Sequence, residues 1–120
     1  MTLTLSEAIK QGAQLRPQAF GALFRKADAG SDETLMGSCA LGAAFEATGE
    51  IPSIEEGNHY EIYDELEEHF AILRTRATCP ECDHPAMRNN TLGAVITHLN
   101  DSHFYTREQI AAWVAQQEAR

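Results

Sequence analysis

The amino-acid sequence predicts a mainly α-helical protein with one small β-hairpin, an α+β fold, whose last third forms a tight turn and a helical hairpin. Apolar residues recur at helical spacing in several stretches, and Ser, Thr, Gly or Pro residues mark the ends of those stretches. The hairpin is predicted by an alternation of Phe20, Ala22 and Phe24 within 19–26, followed by polar residues 28–33 and a second extended stretch over 34–38.

We expect these elements to form one domain over residues 1–120. Residues 1–52 supply two helices and the hairpin, and residues 53–76 supply an acidic helix. Residues 77–120 supply the turn and two further helices. A chain of 120 residues is of ordinary size for one domain.

Composition narrows the classes of partner. Eighteen acidic residues against nine basic ones give a formal net charge of -9, which argues against nucleic acid and anionic membranes as partners. No apolar run approaches the roughly 20 residues of a membrane span, and Met1 leads into a helical pattern without a secretion leader. Three cysteines make a poor disulfide framework, so we expect a cytoplasmic protein.

The first two predicted helices have small side chains on one face. Thr4, with Glu7 three residues on, or Ser6 can cap the first helix, which should stop before Pro17. Ala and Gly residues dominate its apolar face and also the second helix, Cys39–Thr48, which Ser38 is predicted to cap and Gly49 to end. The two helices are therefore expected to pack closely.

Cys39 has two interpretations. At a helix start, free backbone N–H groups can lower the pKa of a thiol and make it reactive. Alternatively, Cys39 is a small buried core residue, as free cysteines commonly are. No histidine lies near it in the sequence, so the buried interpretation is favoured.

The longest helix predicted from the sequence runs from Ser53 to Thr75. Tyr63, Leu66, Phe70 and Leu73 form its buried stripe. Seven acidic residues and no Lys or Arg occur from Glu55 to Glu68. Such a run is typical of a solvated face, or of a surface that docks a basic partner protein or mimics nucleic acid. The candidate partner-binding residues are Glu61, Asp64, Glu65 and Glu68.

The segment from Cys79 to His103 has the spacing of metal ligands. Cys79 and Cys82 are separated by two residues, fifteen residues follow, and His98 and His103 are separated by four. Two thiolates from a Cys-x-x-Cys turn and two histidines near the end of a short helix can complete a tetrahedron around Zn²⁺. The pattern resembles a two-Cys two-His zinc finger, and a structural zinc ion is the predicted cofactor.

Alternatives remain for this segment. His84 follows the Cys pair so closely that it could replace one of the downstream histidines. The Cys pair could also be a redox motif, although Pro85 and the polar residues before it disagree with a helix beginning there. Residues 86–88 are predicted to form a brief strand, and Asn90 or Thr91 to start the finger helix.

Two further alternatives concern function. A DNA-reading finger needs basic residues at the start of its helix, yet no Lys or Arg lies between Arg88 and Arg107. A zinc enzyme needs an open coordination position, whereas four protein ligands are available here. We therefore expect the metal to act as a brace and the protein not to be an enzyme.

The final helix is predicted from Thr106, which caps it, with Gln109 completing a capping box. Ile110, Trp113 and Val114 should form its buried face.

Several motifs resemble those of a group of small, uncharacterised proteins of bacteriophages and prophages. The likeness joins LSEAI and GSCALGAAFEATG in the first half to CPEC and VITHLNDSHFYTREQIAAWV in the second. It is strongest at His98-Leu99-Asn100-Asp101-x-His103 and at Thr106-Arg107-Glu108-x-Ile110-Ala111-x-Trp113. The resemblance implies a phage or prophage origin and a zinc site at Cys79, Cys82, His98 and His103.

These observations lead to one functional expectation. The protein should be a small acidic zinc-binding module that interacts with, or regulates, a host or phage protein in the bacterial cytoplasm.

Overall fold

The computed structural model describes residues 3–15, 17–20, 24–26, 35–48 and 59–119, with backbone alone at 24–26, 35–37 and 59–61. Five α-helices and two antiparallel pairs of short strands occur within these ranges. The helices are α1 (Leu5–Ala13), α2 (Ala40–Thr48), α3 (His59–His69), α4 (Leu92–Asp101) and α5 (Arg107–Glu118). The strands are β1 (Phe24–Lys26) paired with β2 (Leu35–Ser38), and β3 (Arg76–Ala77) paired with β4 (Asn90–Thr91). The predicted mainly helical fold with a small hairpin is confirmed.

Helices α1 and α2 pack as closely as their small residues predict. Thr4 caps α1 in a complete capping box with Glu7. An ideal Cβ on Gly12 would lie only 1.8 Å from the Ala43 carbonyl oxygen of α2. Gly12 therefore sits where the two helix backbones touch, and no larger residue fits there.

Helix α2 begins one residue later than predicted, because Cys39 caps it and Ser38 does not. The Cys39 carbonyl accepts the first helical hydrogen bond, from Ala43 N at 2.8 Å, and its Sγ lies 3.4 Å from Gly42 N. Ser38 is instead the last residue of β2, and its Oγ accepts a hydrogen bond from the buried guanidinium of Arg107. The Ser38 side chain thus bonds to Arg107 of α5 and does not cap α2.

Helix α3 ends earlier than the predicted limit at Thr75. Phe70 leaves helical geometry at φ -121°, and a 3₁₀ turn over Ala71–Arg74 follows before the chain enters β3. Phe70 and Leu73 are both buried, as predicted, although neither lies in α3. The predicted helix start at Ser53 lies outside the described residues, as do the polar loop over 28–33 and Gly49.

In the last third, residues 85–87 form a 3₁₀ turn, so the predicted strand over 86–88 is wrong. Pro85 stands at the start of that turn, where its fixed φ is accommodated. The strand forms instead at Asn90–Thr91, immediately before Thr91 caps α4. Thr106 caps α5 in the predicted capping box with Gln109.

A continuous hydrophobic core joins both halves of the chain. It extends from Leu5 and Ile9 of α1, through Leu41 of α2, to the buried faces of α4 and α5. The predicted buried residues of α5 are confirmed, namely Ile110, Trp113 and Val114.

Buried polar side chains also connect the halves. Arg107 donates to Ser38 and to the Ala13 carbonyl at the end of α1, and Asn100 of α4 donates to the Ala19 carbonyl at 2.9 Å. Because unpaired buried polar groups are costly, these contacts fix how the segment from Cys79 to His103 sits on the amino-terminal helices.

Candidate metal centre

The turn after β3 presents the two cysteines side by side. Cys79 is buried and Cys82 is half-buried. The turn is closed by a hydrogen bond from Cys79 N to the Met87 carbonyl, and Glu81 N points at Cys79 Sγ from 3.4 Å. The turn therefore holds both sulfurs on one side of the chain, 3.7 Å apart.

Helix α4 supplies the two histidines across its carboxyl end. His98 lies within the helix, whereas His103 follows it. The last turn is widened, because His103 N lies 3.4 Å from the His98 carbonyl, five residues back. This widening lets histidines with four residues between them face the same point, as the sequence required.

Phe104 completes the change of direction after the helix. It adopts a left-handed φ of 53°, a conformation uncommon for residues other than glycine. Its exposed ring contacts Phe20 edge to face, with ring centroids 5.5 Å apart.

The four side chains converge. Ligand atoms from Cys79, Cys82, His98 and His103 all lie within 4.8 Å of one another. The two sulfurs are 3.7 Å apart, and Cys82 Sγ is 3.3 Å from His98 Nε2. In a tetrahedral zinc site with Zn–S bonds of about 2.3 Å, two sulfurs lie about 3.8 Å apart and a sulfur and a nitrogen about 3.6 Å. The arrangement has the dimensions of a metal site, and the sulfurs are too far apart for a disulfide.

His103 supplies an independent indication. Its Nε2 is buried and has no hydrogen-bond partner among the described residues. Leaving such a group unpaired costs about 1–3 kcal/mol. The imidazole planes of His98 and His103 stand at 87° with centroids 4.6 Å apart. A metal ion between these rings and the two sulfurs would satisfy the orphaned nitrogen.

Electrostatics favour the ligating form of His98. Desolvation, with smaller contributions from His103 and His84, lowers the pKa of its imidazole. The ring is therefore neutral at neutral pH, and a neutral imidazole is what coordinates a metal.

His84 does not join the cluster. Its exposed side chain accepts a hydrogen bond from Ala86 N through Nδ1, at 3.1 Å, and so caps the 3₁₀ turn. The structure thus brings together the predicted set of two cysteines and two downstream histidines.

A supporting contact was not evident from the sequence. The Tyr105 hydroxyl donates to the Glu81 carboxylate at 2.5 Å, which links the cysteine turn to the chain just after His103. That hydrogen bond is the main reason why the pKa of Tyr105 is raised, so the phenol stays protonated and can donate. The partners lie 24 residues apart, and no local pattern reveals such a pair.

The predicted acidic surface belongs to α3. Asp64, Glu65 and Glu68 are exposed, while the side chain of Glu61 lies outside the described residues. Among the parts of the chain that the structure describes, these carboxylates do not form a second cluster with metal-binding distances.

Cys39 lies in the core and has the chemistry of a buried thiol. Only 8% of it is exposed, and burial raises its pKa to about 11. The alternative of a reactive helix-start thiol is not favoured, because desolvation outweighs the hydrogen bonds from the helix start.

We expect Cys39 to resist alkylation in the folded protein. With a pKa of about 11 instead of 9.0, the thiolate fraction at pH 8 falls about a hundredfold, so iodoacetamide should label Cys39 at least that much more slowly than in denaturant. Peptide mass spectrometry of the zinc-loaded protein measures the labelling at this residue. Equal rates in folded and denatured protein would contradict the buried assignment.

Among the described residues, no helix has the length and apolar character needed to cross a membrane. No protein-family model, curated protein or solved structure matches the chain significantly. The residues themselves therefore define the site, as a cluster of two cysteines and two histidines that could hold a metal ion.

Proposed function

We propose that the protein is a zinc-stabilised interaction or regulatory module, and that it binds a partner protein through the acidic face of α3. The zinc ion would be structural. Two sulfurs and two imidazole nitrogens are the ligand set that tetrahedral zinc prefers, and together they fill its coordination sphere. No position is then left for a water molecule, which argues against a zinc hydrolase.

One hydrogen bond connects the metal centre to the acidic face, which is formed by Asp64, Glu65 and Glu68 of α3. Tyr63 of α3 and Thr97 of α4 pair through their hydroxyls at 2.9 Å. Thr97 is next to His98, so this bond ties α3 to the helix that contains His98 and that leads into His103. The exposed residues Asp64, Glu65 and Glu68 are thereby presented on a braced helix, and a preorganised surface loses less entropy on binding.

The same packing argues against DNA reading by the finger helix. Gly93 is buried beside Leu73 of the 3₁₀ turn, and the half-buried Thr97 is bonded to Tyr63 of α3. Both residues lie on the face that a DNA-reading finger would use. The net charge of -9 and the lack of basic residues on α4 point the same way.

The source of the partner is part of the proposal. The sequence resemblance to phage and prophage proteins supports an origin of that kind, and hence a host or phage protein as partner in the bacterial cytoplasm. The excess of acidic residues supports a partner with a basic surface.

Affinity capture tests this function. The zinc-loaded wild-type chain should retain a specific protein from bacterial lysate, and reversing Asp64 and Glu68 to lysine should weaken retention by about tenfold or more. The loss follows from replacing attraction by like-charge repulsion. Adding Glu61→Lys and Glu65→Lys should deepen the effect.

The matched control is the pair Asp83→Lys and Glu108→Lys, which reverses two exposed residues elsewhere and changes the net charge equally. Retention that falls equally in both variants would mean that only total charge matters. Retention that is unchanged in the α3 variant would refute the acidic face as the docking surface.

A further inference from the structure

A cleft of about 340 Å³ lies between α3 and α4, beside the acidic face. Its walls are mostly apolar and include Leu73, Gly93 and Ala94. Its polar lining residues are Tyr63, Glu67, Thr91 and Thr97. The volume is at the lower end of the range for ligand clefts, about 300–1,000 Å³, and is suitable for one long side chain.

Gly93 keeps part of the cleft open without a structural need for glycine. An ideal Cβ at this position would lie 3.7 Å from Leu73 Cδ2 and 3.8 Å from the Leu73 carbonyl oxygen, which is ordinary contact. Alanine would therefore fit, and it is the better helix former. Gly12 differs, because a Cβ there would collide with the neighbouring backbone.

The hydrogen bonds determine which polar group in the cleft can accept a further hydrogen bond. Thr97 donates its hydroxyl proton to the Gly93 carbonyl at 3.1 Å, so Tyr63 must be the donor in the bond between Tyr63 and Thr97. Burial is the main reason that the pKa of Tyr63 is raised, which keeps the phenol protonated. The Tyr63 oxygen is then left with acceptor capacity alone.

The charged group that lines the cleft is a carboxylate. Glu67 accepts a hydrogen bond from Arg74 Nε at 3.0 Å, and its side chain remains 37% exposed. Asp64 and Glu68 add two exposed carboxylates on the same helix. The cleft thus offers an apolar wall, an acceptor oxygen and one carboxylate that it shares with Arg74, and two further carboxylates lie on the same helix outside its lining.

We propose that this cleft receives an arginine or lysine side chain from the partner protein. The methylene stem would lie along Leu73, Gly93 and Ala94, and the cationic head would reach the Tyr63 oxygen and the Glu67 carboxylate. Charge selects this occupant, since an acidic segment, or a second copy of a chain with net charge -9, would be repelled. The inference rests on the proposed interaction function and specifies what α3 and α4 recognise.

Peptide titration of the full, zinc-loaded chain tests the cleft. The probe is a short capped peptide with two arginines among apolar residues, and its control has citrulline, a neutral isostere, in place of arginine. Backbone amide shifts should move at Gly93, Ala94 and Thr97 for the arginine peptide. The citrulline peptide should bind about tenfold more weakly, because it lacks the charge.

Three variants locate the binding. Gly93→Ala fills the cleft by one methyl group and should weaken binding about tenfold while leaving the fold intact. Tyr63→Phe removes the acceptor oxygen and should weaken binding about threefold. Glu67→Gln should weaken binding more than Glu108→Gln, which removes an equal charge from an exposed site on α5.

Any of three results would overturn the proposal. They are wild-type affinity of both Gly93→Ala and Tyr63→Phe for the arginine peptide, equal binding of the citrulline and arginine peptides, and amide shifts confined to other helices. The two proposals fail separately. If the α3 charge reversal abolishes lysate capture while Gly93→Ala changes neither capture nor peptide binding, the acidic face stands and the cleft is discarded. If the cleft variants weaken peptide binding while the α3 charge reversal leaves lysate capture unchanged, the cleft stands and the acidic face is discarded.

Discussion

Replacing His103 with alanine is expected to strip the metal from the protein and to lower its melting temperature by about 15 °C. Zinc present at about a thousand times its dissociation constant stabilises the folded state by about 4 kcal/mol. For a chain of this length, 1 kcal/mol corresponds to about 4 °C. Loss of His103 removes the buried nitrogen that has no protein partner among the described residues, so the coordination sphere is left open.

Metal analysis and thermal unfolding, with and without a chelator, measure the two effects. The wild-type protein should carry one zinc ion per chain and lose about 15 °C when chelated, whereas the His103→Ala variant should no longer respond to chelator. His84→Ala is the control, since His84 caps an exposed turn outside the cluster. Metal loss in His84→Ala with retention in His103→Ala would show that the ligand set is wrong.

Gly12→Ala should destabilise the protein by about 3 kcal/mol and lower its melting temperature by about 12 °C. The expected change in stability is opposite to the usual one, because replacing glycine with alanine inside a helix ordinarily stabilises the helix by about 1 kcal/mol. The cause is the Ala43 carbonyl oxygen, 1.8 Å from the position of the new Cβ. Helices α1 and α2 would have to separate, which opens the core around Ile9 and Leu41.

Gly93→Ala is the matched control within the same chain, because its Cβ finds its nearest neighbour at 3.7 Å. Denaturant unfolding should show a lower free energy of unfolding for Gly12→Ala and no decrease for Gly93→Ala, relative to wild type. Gly93→Ala should be neutral or up to about 1 kcal/mol more stable. Equal stability of Gly12→Ala and wild type would disprove the close approach of α1 and α2.

Local features were predictable because their causes are local. The capping boxes at Thr4 and Thr106 need only a hydroxyl and a Glu or Gln three residues on, and both form. The pairing of β1 with β2 confirms the predicted hairpin, but Phe20 lies before the strand, and Ala22 and the polar loop over 28–33 lie outside the described residues. The small residues of α1 and α2 predicted close packing, and Gly12 shows the contact.

The predictions that were wrong concern the ends of elements, where a contact with a distant residue replaces the local one. Ser38 has the chemistry of a helix cap, but Arg107, 69 residues away, takes its hydroxyl, and Cys39 caps α2 instead. Helix α3 stops at His69, and Phe70 and Leu73, which the sequence places on one helical stripe, are buried from a non-helical residue and a 3₁₀ turn instead. The pairing of β3 with β4 could not be foreseen, since a two-residue strand carries no periodic signal.

The sequence by itself determined the types and spacing of the candidate metal ligands and the acidic character of the helix beside them, because these are properties of residues and intervals. Tertiary structure decided that His103 and not His84 meets the cysteines, since a ring's direction depends on how the helix end unwinds. It also decided that α3 docks on the finger helix through Tyr63 and Thr97 and leaves the cleft between them. Such a contact depends on which surfaces the whole core brings together, so the spacing of residues along the chain does not predict it.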